Sequence, residues 1–376
     1  MTAVADEREL GQRVREAYLA QLDRDVAEPL IGEVLSREAP LLDPAAIDRL
    51  RRRVEADVGG LGPLDELWDD PTITDVLANG AGPVWVERGG RLERTPVIVD
   101  ADQLGRIVER TMGRLGVRID RACPIADGRL DDGSRISVVL PPVAIEGPLI
   151  SIRRFTVHDV ALDAFAAPPV VELLDSLVES GANLVVYGGT GSGKTTLLNA
   201  LARRLPASER VITVEDAAEL DLGGEHVVRL EARVANAEGA GRVALGDLVR
   251  AALRMRPDRI VVGEVRGAEA LDMVWAMSTG HDGSMSTVHA SGPVDALLRL
   301  ETFVAMAPVT LTPATIRSQL VSAIDALVGL ERVVGGGRRV VSVHELAPVG
   351  DPPAVRELVR GDRVLGPPIR PARRSR

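Results

Sequence analysis

The feature that most constrains the fold is a glycine-rich stretch near the middle of the chain. Its residues are Gly188, Gly189, Thr190, Gly191, Ser192, Gly193, Lys194, Thr195 and Thr196. The apolar run 184–187 precedes it and a segment with helical spacing, 197–205, follows. A strand, a glycine loop and a helix in this order are what a Walker A phosphate loop requires. We therefore expect these nine residues to bind a nucleotide, with Lys194 on the β and γ phosphates and the Thr195 hydroxyl on Mg²⁺.

Lys194 is the only lysine in the chain, and every other basic residue except histidine is arginine. At this one position the chain has kept a compact, flexible ammonium for the phosphates rather than the planar fork of arginine. A guanine-reading Asn-Lys-x-Asp motif would need a second lysine. The sequence therefore favours ATP over GTP as the nucleotide.

Composition limits the compartment and the class of partner. One cysteine, Cys123, excludes an internal disulfide, and the sequence shows no apolar run long enough to span a bilayer. We therefore predict a cytoplasmic protein that reaches the membrane only through partners. A net charge of −10 and 2% aromatic residues are a poor match for direct nucleic-acid binding.

The residues before the phosphate loop predict two regions and a linker. Residues 1–58 read as a helical segment, with one apolar stripe at Leu10, Val14, Tyr18 and Leu22 and a second in 47–58. Residues 59–156 carry short strands, hairpin signals at 88–91 and 130–134, and a helix at 103–115, which predict a smaller α+β, PAS-like domain. The proline-containing segment 157–169 is predicted to be a linker.

Residues 170–348 alternate apolar strands with helices, which predicts an α/β, RecA-like P-loop ATPase domain with a mostly parallel sheet. A hairpin at the sheet edge is expected to close this domain. The segment 349–376, rich in proline and arginine, predicts a loose, disordered tail.

Three side chains follow predicted strands of this domain, where they would face the phosphate loop. Glu215 follows 211–214, Glu264 follows 260–263, and His289 follows 285–288. A carboxylate there could hold Mg²⁺ or orient the attacking water, so Thr195, Glu215 and Glu264 are the candidate metal ligands. Taken alone, Glu264 could also be a surface ion pair and His289 a packing residue. Gly263 departs from the usual Walker B, which has an aspartate before the glutamate.

Several segments together resemble the type II/IV secretion ATPase superfamily. In order, they are EDAAE (215–219), RMRPDR (254–259), VGEVRG (262–267), TGHDG (279–283) and STVHA (286–290), set around Walker A. They look like the Asp box, Walker B and His box of that superfamily. Upstream, DGRLDDGSR (127–135), PPVAIEGP (141–148) and SIRRF (151–155) resemble the CpaF/TadA branch, which powers Flp/Tad pilus assembly.

The resemblance implies a homo-hexameric ATP hydrolase. Such a motor would act on inner-membrane platform proteins and, through them, on a pilin substrate, at the cytoplasmic face of the membrane. By the same analogy, Glu215 and Glu264 share water activation and Mg²⁺ organisation, in a division that the sequence leaves open. His289 would sense the γ-phosphate, and Arg135 and Arg153 would bring positive charge to it.

Other functions stay open at this stage. Within the superfamily the alternative is a conjugation-type secretion ATPase. From other classes come a RecA-like nucleic-acid motor, against which the acidic composition argues, and a nucleotide-regulated scaffold that binds without turnover.

Overall fold

The computed structural model of the protein describes residue 14 and residues 43–154, 160–235, 240–333, 337–347 and 354–374. The chain forms two compact units, Met1–Thr156 and Val157–Arg376. The predicted stripe of Leu10, Tyr18 and Leu22 lies outside the described residues, and only Val14 of that stripe is described, as helical and buried. Among the helices that the structure describes, none is long and apolar enough to cross a membrane.

The first unit contains a six-stranded antiparallel sheet with the order β3-β2-β1-β6-β5-β4. Its strands are β1 (Ile73–Asn79), β2 (Gly82–Arg88), β3 (Arg91–Val99), β4 (Ile125–Arg129), β5 (Arg135–Val139) and β6 (Leu149–Arg153). The two predicted hairpins are confirmed, since β2 pairs with β3 and β4 pairs with β5.

Three helices accompany this sheet: α1 (Pro44–Gly59), α2 (Asp65–Trp68) and α3 (Ala101–Arg114). Helix α3 begins at a capping box, in which Asp100 and Gln103 each accept a hydrogen bond from the other's backbone N–H. Its apolar residues, such as Leu104 and Met112, are buried in one cluster with the inward-facing residues of the strands. One face of the sheet is therefore covered by apolar packing, and the residues that alternate with it face away.

The second unit contains a nine-stranded mixed sheet with the order β15-β14-β13-β12-β7-β11-β10-β8-β9. The six strands from β12 to β9 in this order are parallel, and β13, β14 and β15 extend the sheet with antiparallel pairing. Its strands are β7 (Leu184–Gly188), β8 (Val211–Glu215), β9 (Val227–Glu231), β10 (Arg259–Val265), β11 (Met285–His289), β12 (Ala326–Arg332), β13 (Arg338–Ala347), β14 (Ala354–Arg360) and β15 (Arg363–Val364).

Helices cover both faces of this sheet. They are α4 (Pro168–Glu179), α5 (Lys194–Ala202), α6 (Leu245–Ala252), α7 (Glu269–Ser278), α8 (Pro293–Ala305) and α9 (Pro313–Ala323). Along β7, Leu184 and Val186 are buried in one apolar cluster with residues of α4 and α5, whereas Val185 and Tyr187 are buried in a second cluster with residues of α6 to α9. The predicted α/β fold with a mostly parallel sheet is therefore confirmed.

The predicted linker over 157–169 is wrong for the part that the structure describes. Leu162 and Phe165 are 1% and 2% exposed and lie in the same apolar cluster as α4. Apolar side chains at these two positions anchor the segment to the ATPase unit, so that it is part of the core.

The predicted loose tail is also wrong for its described part. Residues 354–364 form β14 and β15 at the sheet edge. Beyond them, Arg370 and Arg373 pair with Asp325, and Arg374 pairs with Glu209. The physical reason is electrostatic, because these arginines neutralise carboxylates that the fold has largely removed from water.

Candidate functional site

The glycine loop has the backbone geometry of a phosphate loop. Strand β7 is buried along its whole length and ends at Gly188, and α5 begins at Lys194. Gly191 and Gly193 have φ angles of +69° and +94°, in the left-handed region that favours glycine. A Cβ on Gly188 would lie 2.4 Å from the carbonyl oxygen of Leu330. Glycine is therefore required at these three positions for steric reasons.

Lys194 lies over this loop with its side chain 10% exposed. Its Nζ donates to the carbonyl oxygen of Gly189 at 3.2 Å and is 3.7 Å from Oε1 of Glu264. Burial lowers the pKa of Lys194, and the charge of Glu264 opposes that shift. An ammonium in this position can exchange these contacts for phosphate oxygens.

Parallel strand order brings the predicted site residues to one edge of the sheet. His289, the last residue of β11, is in register with Gly188 at the end of β7. Glu264 lies near the end of β10, and Glu215 ends β8, the next strand. Carboxyl ends of parallel strands are where α/β proteins bind their ligands. His281, in the segment TGHDG, precedes β11 and therefore lies at the opposite end of the parallel strands. Its Nδ1 is 3.2 Å from the carbonyl oxygen of Ala276.

Glu215 is the most perturbed carboxylate of this edge. The residue is 3% exposed, and its Oε1 accepts hydrogen bonds of 2.8 Å from the N–H groups of Glu219 and Leu220. Its Oε2 is buried without a hydrogen-bond partner in the structure. Burial raises the pKa of Glu215 to about 7, despite the two backbone hydrogen bonds. This carboxyl group can therefore exchange a proton near neutral pH.

The position of Glu215 explains the unusual Walker B. Val262 pairs with Val214, which places Gly263 beside Glu215 on the neighbouring strand. A Cβ built on Gly263 would lie 3.0 Å from Cγ of Glu215. An aspartate at 263 would therefore compete for the space that Glu215 fills, and the acidic group at this place comes from β8 instead.

Glu264 has a different environment from Glu215. Its side chain is 23% exposed and lies between Lys194 and Arg266, whose Nε donates to Oε2 at 3.0 Å. Sequence reasoning missed Arg266, which follows the acid in VGEVRG, and Glu231, which is in register with Glu215 at the end of β9. The available signals were that Arg266 stands two residues after Glu264 and that Glu231 directly follows the strand-like segment 227–230.

The residues present fit a nucleotide with Mg²⁺. Mg²⁺ at such sites takes oxygen ligands, typically one or two carboxylates together with phosphate oxygens and water. Glu215 and Glu264 both lie at the carboxyl ends of the parallel strands, where the phosphate loop opens. Within the described part of the chain there is no cluster of three His, Cys, Asp or Glu residues that could hold a metal alone.

The predicted arginines Arg135 and Arg153 belong to the first unit. They are paired across β5 and β6, and Arg129 is paired with Arg135 across β4 and β5, so all three lie on the same face of that sheet. The side chain of Arg153 is 66% exposed and its Nε is 4.0 Å from Asp75. Arg154 follows β6 and has a structural contact, with its guanidinium 4.4 Å from the ring centroid of Trp68.

The fold and the loop geometry define a P-loop ATPase. The Type II/IV secretion system protein family matches residues 57–334, and the chain belongs to this family of ATPases. The superfamily prediction is therefore confirmed, while the relatives below do not single out the CpaF/TadA branch.

Three comparisons give the range of this similarity. A putative conjugal transfer protein of Mycobacterium tuberculosis is 40% identical over 307 residues, covering 78% of this chain and 87% of that protein. The conjugal transfer protein TrbB of Rhizobium radiobacter is 32% identical over 304 residues, covering 78% and 90%. The solved structure of the pilus retraction motor PilT with bound ADP is similar in fold, with a TM-score of 0.55 at 20% identity, covering 77% and 83%.

Proposed function

We propose that this chain is the ATP-hydrolysing motor of a conjugation- or pilus-type secretion machine. It acts as a homo-hexamer that binds ATP with Mg²⁺ and reaches inner-membrane platform proteins from the cytoplasmic side. Family membership and the names of the two conjugal transfer relatives support a role in a secretion machine. The phosphate loop and the acids at the strand ends support ATP hydrolysis.

Glu215 is the general base of this proposal. The observation that carries the assignment is its buried Oε2, which has no hydrogen-bond partner, together with a pKa raised to about 7. A base of this pKa accepts a proton from water at neutral pH and holds it while the terminal phosphate is cleaved. Gly263 leaves the space in which the base is held.

The remaining residues of the proposal bind and orient the nucleotide and Mg²⁺. Lys194 would bind the β and γ phosphates, and Thr195 would hold Mg²⁺ together with Glu264, which lies between Lys194 and Arg266. Mg²⁺, when bound, neutralises charge on the phosphate oxygens. His289 is placed beside Gly188 to sense the γ-phosphate. Arg135 and Arg153, which belong to the first unit of the chain, are proposed to supply positive charge to the γ-phosphate from the same or a neighbouring subunit of the hexamer.

Steady-state phosphate release tests the chemistry. We expect Mg²⁺-dependent release from the full chain, loss of nucleotide binding in Lys194→Ala, and retained binding without release in Glu215→Gln. Glu225→Gln, a change at an exposed glutamate, is the matched control and should turn over normally. Nucleotide binding by the full chain with no release above Lys194→Ala would instead favour the scaffold. Release that requires single-stranded DNA would favour the nucleic-acid motor.

A separate experiment is needed to decide between the conjugation branch and the Flp/Tad pilus branch of the superfamily. The names of the relatives favour conjugation, whereas the segments 127–135 and 141–148 favour Flp/Tad pilus assembly. A deletion strain of the source organism, complemented with the intact gene or with Lys194→Ala, can be scored for surface fibres by electron microscopy and for DNA transfer by mating. Loss of fibres with normal mating identifies a pilus motor, and the reverse identifies a conjugation motor.

A further inference from the structure

An arginine outside the recognised motifs lies against the phosphate loop. Arg338 is the first residue of β13 and is in register with Arg332 at the end of β12, the strand that pairs with β7. Its Nη1 donates to Oγ1 of Thr196 at 3.1 Å. Its Cδ lies 2.4 Å from the position that a Cβ on Gly193 would occupy. The side chain therefore packs directly on the first turn of α5, where the loop binds phosphate.

The surroundings of Arg338 do not neutralise its charge. The residue is half-buried, and no carboxylate of the described residues lies within ion-pair distance of it. Burial, with a smaller effect from the positive charge of Arg332, lowers the pKa of Arg338. The N-terminus of α5 adds a partial positive charge of its own. A cation held in this environment is stabilised when an anion binds beside it at the N-terminus of the helix.

The adjacent arginine shows what a structural residue looks like on the same strand. Arg339 is exposed and forms an ion pair with Asp362, which lies in the turn between β14 and β15. Adjacent residues of a strand point to opposite faces, so Arg339 lies on the face away from the Thr196 contact. Arg338 differs from it in burial, in partner and in its contact with the loop.

We propose that Arg338 is a nucleotide-binding residue, whose guanidinium donates to the phosphate oxygens that ADP and ATP share. This inference rests on the proposed function of the site. Lys194, which contacts Gly189 of the loop, serves the β and γ phosphates, whereas Arg338 contacts Thr196 in the first turn of α5 and so serves the α-phosphate end. A planar fork can bond Thr196 and a phosphate oxygen together, which an ammonium at the same place would do less well.

Equilibrium binding of fluorescent ADP and of ATPγS, both with Mg²⁺, tests the assignment on the full chain. We expect Arg338→Gln to weaken both ligands by a similar factor, roughly tenfold or more, the size of one charge-assisted hydrogen bond. Arg338→Lys should recover part of the loss. In turnover, KM for ATP should rise while kcat stays near that of the unchanged protein. Arg339→Gln is the matched control and should bind like the unchanged protein.

Melting of the ligand-free protein separates binding from structure. Because no acid neutralises Arg338 in the described part of the chain, Arg338→Gln should leave the ligand-free Tm unchanged or slightly raised, and should reduce only the rise in Tm that ADP produces. A lower ligand-free Tm with unchanged ADP affinity would make Arg338 structural and overturn the inference. Weaker binding of ATPγS with unchanged binding of ADP would place the contact at the γ-phosphate and would also overturn the inference. Failure of the unchanged chain to bind nucleotide would refute the proposed function itself.

Discussion

Replacing two arginines of the C-terminal segment should strongly destabilise the ATPase unit. The side chain of Asp325 is 8% exposed; it forms an ion pair with Nε of Arg370 at 2.9 Å and accepts a hydrogen bond from Nε of Arg373 at 2.5 Å. The backbone N–H of Asn183 also donates to it, at 2.7 Å. In the double variant Arg370→Met/Arg373→Met, this carboxylate would be left buried without a cation, which costs about 3–5 kcal/mol.

A second loss adds to the first at the end of α9. Nη1 of Arg370 donates to the carbonyl oxygens of Val321 and Ile324, at 2.7 and 3.0 Å, and Nη2 of Arg373 donates to that of Ala323 at 3.0 Å. These carbonyls are at the negative end of the helix, where cations are favourable. For a unit of this size, the combined loss corresponds to a decrease in Tm of roughly 10 °C or more.

Scanning calorimetry of the full chain is the assay, because the two units can melt separately and a single two-state analysis would not apply. The transition of the ATPase unit is the one that ADP shifts upward. Arg363→Met, on the exposed strand β15, is the matched control and should leave this transition unchanged. Adding Asp325→Asn to the double variant should restore part of the stability, since a neutral amide needs no cation. A double variant that melts within about 2 °C of the unchanged protein would refute the reasoning.

Four further predictions concern the site and its support. Since burial raises the pKa of Glu215 from 4.5 to about 7 in the nucleotide-free protein, kcat/KM for ATP should increase with pH through about 7, and Glu215→Gln should abolish turnover. Because the pKa of Glu215 is higher in the folded than in the unfolded protein, the contribution of this residue to stability is fully present below about pH 4.5 and is lost as the pH rises through 7. In calorimetry at about pH 8, Glu215→Gln should therefore melt at a higher temperature than the unchanged protein. Gly263→Ala should decrease kcat roughly tenfold to a hundredfold with ADP affinity retained, because its Cβ would displace Glu215; unchanged phosphate release would count against this. Gly283→Ala should destabilise the ATPase unit by about 2 kcal/mol or more, because φ is +82° and the Cβ would lie 2.1 Å from Nη1 of Arg259; an unchanged melting transition would contradict it.

Local patterns predicted the elements that carry the site. The apolar runs 184–187, 211–214 and 285–288 become β7, β8 and β11, each longer by the one residue that follows it. Those added residues are Gly188, Glu215 and His289. Strand ends and glycine loops can be read from sequence because burial, spacing and backbone conformation are set by neighbours along the chain.

Relations between distant strands could not be predicted in the same way. The sequence shows that Gly263 replaces an aspartate, but only the pairing of β10 with β8 shows that Glu215 fills the space beside it. The prediction of a disordered tail was wrong for a related reason. Proline and arginine suggest disorder when counted along the chain, whereas Asp325 and Glu209, far away in sequence, supply the buried charges that order them.

We propose different roles for the two acids of the site, based on their surroundings. Glu264 faces two cations, Lys194 and Arg266, so its proposed role is to hold positive groups at the phosphate loop. Glu215 has one oxygen fixed by two backbone N–H groups and the other oxygen buried without a partner, so proton binding is the interaction left to it. A carboxylate that is oriented on one oxygen and desolvated on the other has the properties that a general base requires near pH 7. On this proposal, the strand neighbour Gly263 affects catalysis through the room that it leaves for Glu215.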